Sequence, residues 1–233
     1  DERMKKVISL SGGLDSTVMA YWLVDNYGAE NVLPVTYFYG QKNDIEIKSA
    51  SVTCEKLKIP YKYIDISFLG DLCKDVSSLS GSSTMSVPDA TDVPKHTIPS
   101  TYIPYRNLIM LSVSMAYAES HGANQVYISS QITDIHWDSQ IDFVDALNEV
   151  SILNIDQPIT VRAPFVNYSK TDEIKLGIKL GVPFEDTWSC YDPQTEYLLH
   201  PEKPCQVCTA CVKRQEAFET AGVKDPVIGV VND

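Results

Sequence analysis

The chain has 233 residues, of which 44% are hydrophobic, and a formal net charge of −12. That length supports one large domain with a substantial core, or a domain with a small appendage. No apolar run reaches the roughly 18 residues of a membrane span, and an acidic chain without a block of Lys and Arg argues against a nucleic-acid partner. The opening Asp1-Glu2-Arg3-Met4-Lys5-Lys6 runs straight into a strand-like segment, so no secretion signal is expected. The six cysteines are spaced for metal ligation rather than for a disulfide framework, which predicts a reducing, cytoplasmic setting.

Residues 6–10 read as a buried strand, and 16–26 as a helix closed by Gly28. That helix is apolar nearly all round, so it is expected to pack on a sheet. Residues 32–38 are rich in β-branched and aromatic side chains and read as a second strand. Residues 44–58 place Ile45, Ala50 and Leu57 at helical spacing, and 61–66 alternate as a third strand. Three strand–helix repeats imply right-handed crossovers and an α/β fold with a doubly wound, mostly parallel sheet.

Residues 67–100 are irregular and crowded with serine, with Pro88, Pro94 and Pro99. A stretch of this length is a functional lid or disordered, and it reads as a partly mobile flap over a site. Residues 106–120 form a strong helix with Leu108, Leu111, Met115 and Ala118 on one stripe, ending at Gly122. A strand over 125–129, a helix over 140–154, a short strand over 159–163 and a helix over 170–180 capped by Gly181 follow. A cysteine-bearing loop and a last helix over 209–221 complete the chain, dividing it into a main domain of residues 1–185 and a helical, zinc-binding region of residues 186–233.

Two motifs carry chemistry. Ser11-Gly12-Gly13-Leu14-Asp15-Ser16 sits between the first strand and the first helix. Glycines let the backbone approach an anion, and successive N–H groups at a helix start form an anion-binding concavity. The loop has neither the Walker A lysine nor the G-x-G-x-x-G spacing. Asp15 suits a Mg²⁺ ion held between the protein and phosphate oxygens. Cys205, Cys208 and Cys211, with Cys190 upstream, offer four thiolates, enough for a closed tetrahedral Zn²⁺ site of structural type. An iron–sulfur cluster is the rival, but its common spacing needs a further cysteine soon after Cys211, where Val212-Lys213-Arg214 stands. Cys54 and Cys73 read as ordinary residues.

The phosphate loop resembles that of the N-type ATP pyrophosphatases, which cut ATP between its α- and β-phosphates and activate a substrate oxygen as an adenylate. Phe38 to Ala50 (FYGQKNDIEIKSA), Ser100 to Ala123, Asp186 to Tyr191 (DTWSCY) and Pro204 to Phe218 follow in order. Together they resemble the 7-cyano-7-deazaguanine synthase (QueC) family over nearly the whole length. The resemblance implies an adenine nucleotide alpha hydrolase-like fold. It also implies conversion of 7-carboxy-7-deazaguanine, ammonia and ATP to a nitrile through an adenylate and an amide, one structural zinc, and a homodimer. Leu10 to Ala20 would then hold the ATP phosphates, with Leu10, Ser11, Gly12, Gly13, Leu14, Asp15, Ser16, Thr17 and Val18 as the binding set and Asp15 serving magnesium. Cys190, Cys205, Cys208 and Cys211 would bind zinc. Arg106 and Asn107 at a helix start would meet the α-phosphate or the substrate carboxylate. Lys170, a cation at a helix N-terminus, opposes the helix dipole and so calls for an anionic partner such as pyrophosphate.

The chain departs from the family around the acceptor. The family's Tyr-Pro-Asp-Cys-Arg-like run is His136-Trp137-Asp138-Ser139-Gln140 here, Tyr105 stands where glycine is common, and the spacing from Cys190 to Cys205 is longer. Asp138 retains a carboxylate able to pair with a guanine-like edge, and Trp137 offers a stacking surface. An enzyme that stops at the amide, or that passes the activated deazaguanine to another amine, fits these departures. A tRNA-modifying ATP pyrophosphatase and a non-catalytic nucleotide- or zinc-binding module are the other readings.

Overall fold

A computed structural model describes residues 4–42, 44–92, 98–130, 137–154, 157–193 and 203–228. The chain runs through β1 (Lys5–Ser9), α1 (Leu14–Tyr27), β2 (Val32–Phe38), α2 (Ile45–Leu57), β3 (Lys62–Asp65) and α3 (Phe68–Leu72). It continues through α4 (Arg106–Ser120), β4 (Ala123–Tyr127), α5 (Ile141–Ile152), β5 (Thr160–Arg162), α6 (Lys170–Leu180) and α7 (Thr209–Ala221). Among the described residues, five strands form one sheet in the order β3-β2-β1-β4-β5, and every pairing is parallel. The chain winds outward from β1 to β3 and then returns to β4 beside β1. Open α/β sheets bind ligands at the carboxyl ends of their strands, where the winding reverses.

Alternation along the strands decides which helices cover which face. Val7, Val35, Val126 and Val161 pack with Leu111 and Ala118 of α4 and with Val144 and Leu147 of α5. Ile8, Val32 and Tyr127 turn the other way, towards α1, α2, α6 and Phe218 of α7. Each such aliphatic side chain taken from water contributes about 1.5–3 kcal/mol, and a strand slipped by one residue would turn towards each core the side chains that fit the other. The doubly wound expectation holds, and α7 shares the second core with the sheet helices.

Local signals explain the best-placed ends. Ser169 Oγ accepts from the Asp172 N–H and the Asp172 carboxylate accepts from the Ser169 N–H, a capping box that starts α6 where the sequence placed it. Gly181 closes that helix at φ 70°. Other elements shift by a few residues: α1 begins at Leu14, directly on the glycine loop.

The irregular stretch differs more. It contains the short helix α3, and Leu69, Cys73 and Leu79 join the core under α4. Ser77, Ser78 and Ser80 are fully buried. Ser80 Oγ donates to the Gly70 carbonyl at 2.8 Å, and the Ser78 N–H donates to the Ser100 carbonyl at 2.7 Å. The described part of the expected flap is therefore a packed segment, because its small serines satisfy one another and the backbone. Residues 93–97 lie outside the described residues.

Candidate active site

A cavity of about 660 Å³ opens beyond the carboxyl ends of β1, β2 and β4. The phosphate loop forms its floor. The N-cap of α1 is Gly13, with no side-chain cap, so the first N–H groups of the helix are left to an incoming anion. The loop's hydroxyls order it from within: Ser11 Oγ and Ser16 Oγ are 3.0 Å apart, the Gly13 N–H donates to Ser11 Oγ at 3.2 Å, and Ser16 Oγ donates to the Gly13 carbonyl at 3.3 Å.

Ser11, Gly13, Leu14, Asp15 and Ser16 line the cavity. Leu10, Thr17 and Val18 are buried in the wall behind it, and Gly12 is pressed against α2. A Cβ at Gly12 would stand 2.0 Å from the Glu46 carbonyl, and the residue sits at φ 87°. Only glycine fits both demands. Gly12 thus sets how closely α2 approaches the loop, and its carbonyl accepts from the Trp188 N–H at 3.1 Å.

Lys170 and Asp15, far apart in sequence, meet here. Lys170 Nζ donates to both Asp15 carboxylate oxygens at 2.5 and 2.7 Å. The anionic partner that the position of Lys170 demands is, in this structure, Asp15. Burial would raise the Asp15 carboxyl, but Lys170, with Glu173 and Arg214 behind it, outweighs burial and holds the group below the usual carboxylate range.

The opposite wall comes from dispersed residues. Arg106, at the start of α4, has its guanidinium 5.4 Å from the centre of the Tyr39 ring, within cation–π reach. Glu46, on the first turn of α2, lines the same wall with Tyr39, Trp188 and Tyr191. Burial pushes the Glu46 carboxyl up to about 7, against the opposing pull of Arg106. Burial likewise raises Tyr39 to about 12. Asn107 donates to the Asp138 carbonyl at 3.1 Å and to Ser139 Oγ at 3.2 Å, pinning that turn onto α4. Ser139 lines the cavity, whereas Asp138 is not among the described lining residues and Trp137 is 68% exposed. His136 lies outside the described residues. Tyr105 takes the left-handed conformation at φ 55°, a backbone state that glycine adopts without strain.

Sequence reasoning passed over Glu46, Tyr39, Trp188, Tyr191 and the cavity-facing Lys213 of α7. For Glu46 the available signal was its place in the quoted run that starts at Phe38. The segment holding Trp188 is fastened by Arg214 of α7, which is 1% exposed. Its guanidinium donates to Thr187 Oγ1 at 2.8 Å, to the Phe184 carbonyl at 3.1 Å and to Asp225 at 2.7 and 3.1 Å.

The four cysteines converge as their spacing suggests. The Sγ atoms of Cys190, Cys205, Cys208 and Cys211 all lie within 4.8 Å of one another, and three of the four residues are buried. The Cys205 N–H donates to Cys190 Sγ at 3.2 Å, and the Cys208 N–H donates to Cys205 Sγ at 3.4 Å; such donors stabilise thiolates around a cation. The donor set fits one tetrahedral metal ion. The Ala90 N–H donates to the Val207 carbonyl at 2.8 Å, so the cluster also anchors the serine-rich segment.

The model of the family described as "Queuosine biosynthesis protein QueC" matches residues 5–222. The 7-cyano-7-deazaguanine synthase of Archaeoglobus fulgidus is 41% identical over 97% of this chain and 90% of its own length. That of Caldicellulosiruptor saccharolyticus is 40% identical over 96% of this chain and 95% of its own. Among solved structures, NMN synthetase from Francisella tularensis aligns over 98% of this chain and 81% of its own, at 15% identity and a TM-score of 0.49. With the family matched across the sheet, the phosphate loop and the cysteine cluster alike, this chain belongs to the QueC family.

Proposed function

We propose that this chain is an ATP-dependent 7-cyano-7-deazaguanine synthase that converts 7-carboxy-7-deazaguanine and ammonia to the nitrile in two AMP-forming activations. The observation that carries the reading is the meeting, in one cavity, of an uncapped helix start, the Lys170–Asp15 pair and Arg106. The N–H groups of the loop and Ser11 hold the phosphates. Lys170 receives charge as pyrophosphate leaves. Arg106 orients the substrate carboxylate towards the α-phosphorus. Such chemistry needs positioning and charge stabilisation more than an elaborate acid–base set.

Lys170 sits on Asp15 where a cation belongs, so Asp15 would hold Mg²⁺, which neutralises phosphate charge when bound. Cys190, Cys205, Cys208 and Cys211 would hold one structural Zn²⁺ that ties residues 186–233 to the main domain of residues 1–185. Elemental analysis is expected to find one zinc per chain; iron, or no metal, contradicts that assignment. No helix among the described residues is long and apolar enough to cross a membrane; four cysteines gathered for a metal ion, with Cys54 and Cys73 outside any disulfide, suit a reducing, cytoplasmic setting. Exposed Val150, Ile152 and Leu153 at the end of α5 offer an apolar surface for a homodimer.

The test is to mix the pure protein with ATP, ammonia and 7-carboxy-7-deazaguanine, then measure nucleotide products and product mass. AMP with the nitrile mass is expected. AMP with only the amide mass supports the shortened reaction suggested by the sequence departures near Asp138. ADP, or no nucleotide turnover by zinc-loaded protein, overturns the proposal.

A further inference from the structure

Amide and nitrile formation release protons from nitrogen inside a cavity, and a group in that cavity must take them. Among the described lining residues the carboxylates are Asp15, Glu46 and Glu216. Asp15 is bound by Lys170. Glu216, two residues beyond Arg214 on α7, is exposed. Glu46 is half-buried and lines the cavity together with Arg106, whose charge acts on it and which, in the reading above, holds the carboxylate under attack. The tyrosines beside it are poor acceptors, because burial holds both Tyr39 and Tyr191 well above their ordinary range.

We propose that Glu46 is the catalytic residue that accepts the protons lost by the substrate nitrogen, an assignment that rests on the synthase reading above. In the first activation, ammonia attacks the acyl carbon of the adenylate. A C–N bond forms, the C–O bond to AMP breaks with its electron pair leaving on the phosphate oxygen, and one N–H proton passes to the Glu46 carboxylate. In the second, the amide oxygen attacks the α-phosphorus of a new ATP and pyrophosphate leaves. The nitrogen loses a proton to Glu46 as the O-adenylated imidate forms. Loss of the last N–H proton, again to Glu46, completes the C≡N bond as the C–O bond breaks and AMP departs. Between steps Glu46 returns each proton to solvent through the cavity mouth. A carboxyl poised near neutrality both accepts and returns protons readily at working pH.

The position of Glu46 is fixed by the fold. The backbone of its helical turn is pressed against Gly12, so Glu46 is held at a fixed place beside the phosphate loop. This couples the nitrogen chemistry to the site where AMP is formed.

The experiment separates adenylation from nitrogen transfer. Adenylation is read as exchange of labelled pyrophosphate into ATP that depends on 7-carboxy-7-deazaguanine; nitrogen transfer is read as amide and nitrile formed from ammonia. For Glu46→Gln, exchange is expected within about threefold of the parent while amide formation falls about a hundredfold, the scale of one general base. Glu46→Asp restores part of the loss. Hydroxylamine, a less basic amine whose nitrogen gives up its proton more easily, restores acyl transfer in Glu46→Gln. Equal loss of exchange and amide formation overturns the proposal and makes Glu46 a binding residue. Unchanged amide formation overturns it as well. Absence of exchange in the parent chain contradicts the synthase reading itself, and this assignment falls with it.

Discussion

Two carboxyl groups in one cavity are driven in opposite directions. On the phosphate side, Asp15 is clasped by Lys170 and held ionised below the usual range. On the acceptor side, Glu46 faces Arg106 without so close a cation, and burial lifts it to about 7. When environments push paired groups apart, their roles part as well. On the proposed reading, the carboxylate that stays charged serves phosphate and its counter-ion, and the one that titrates near neutrality serves proton transfer.

Five substitutions break or sharpen that contrast. Lys170→Ala removes the cation on the phosphate side, and kcat/KM for the synthase reaction is expected to fall about a thousandfold, comparable to removing a preorganised charge-stabilising group. Steady-state kinetics showing less than about a tenfold loss would place the phosphate chemistry elsewhere. Arg214→Ala attacks the acceptor side from behind. It leaves Asp225 buried and unpaired and releases the segment that carries Trp188, so chemical denaturation should show a loss of about 3–5 kcal/mol.

Glu46→Gln reads the contrast through pH. The folded value of Glu46 lies above its free-chain value of 4.5, so its contribution is fully present below that value and is lost as pH rises through about 7. The variant should therefore gain stability over the parent between about pH 5 and pH 8. Asp15 has the opposite sign: its contribution is present above the usual carboxylate range and is lost on acidification, so Asp15→Asn should lose stability at neutral pH and converge with the parent in acid. Thermal melts across pH check both. The smallest effect is expected for Tyr105→Gly, which relieves a left-handed residue at the start of α4 and should stabilise by about 1 kcal/mol.

The two sides also differ in how far they could be read in advance. The phosphate loop is contiguous, and its meaning lies in backbone geometry that Gly12 and Gly13 dictate locally. The cysteine cluster was legible for the same reason: most of its ligands sit on one short knuckle. Strand 32–38 and helices 106–120 and 170–180 emerged at their observed bounds, because β-branched runs, apolar stripes and caps are local signals. The acceptor wall has no such signature. Glu46, Tyr39, Arg106 and Tyr191 come from four segments and meet only because α2 crosses closely at Gly12 and because Arg214 fastens the segment before Cys190. Asp138 drew attention as a lone carboxylate in a varied motif, yet Ser139 beside it lines the cavity. The serine run read as a flap because its composition is that of a loop; its burial depends on pairing with Gly40, Gly70 and Ser100, which sequence spacing does not reveal.

The central claim is that each activation places substrate oxygen on the α-phosphate of ATP. Carboxydeazaguanine carrying heavy oxygen in its carboxylate tests this directly, with mass spectrometry of the AMP produced. Transfer of one heavy oxygen into the AMP of each activation, both carboxylate oxygens thus ending in AMP, is the predicted result. AMP without label would mean that water, not the substrate, attacks the nucleotide, and would contradict the account.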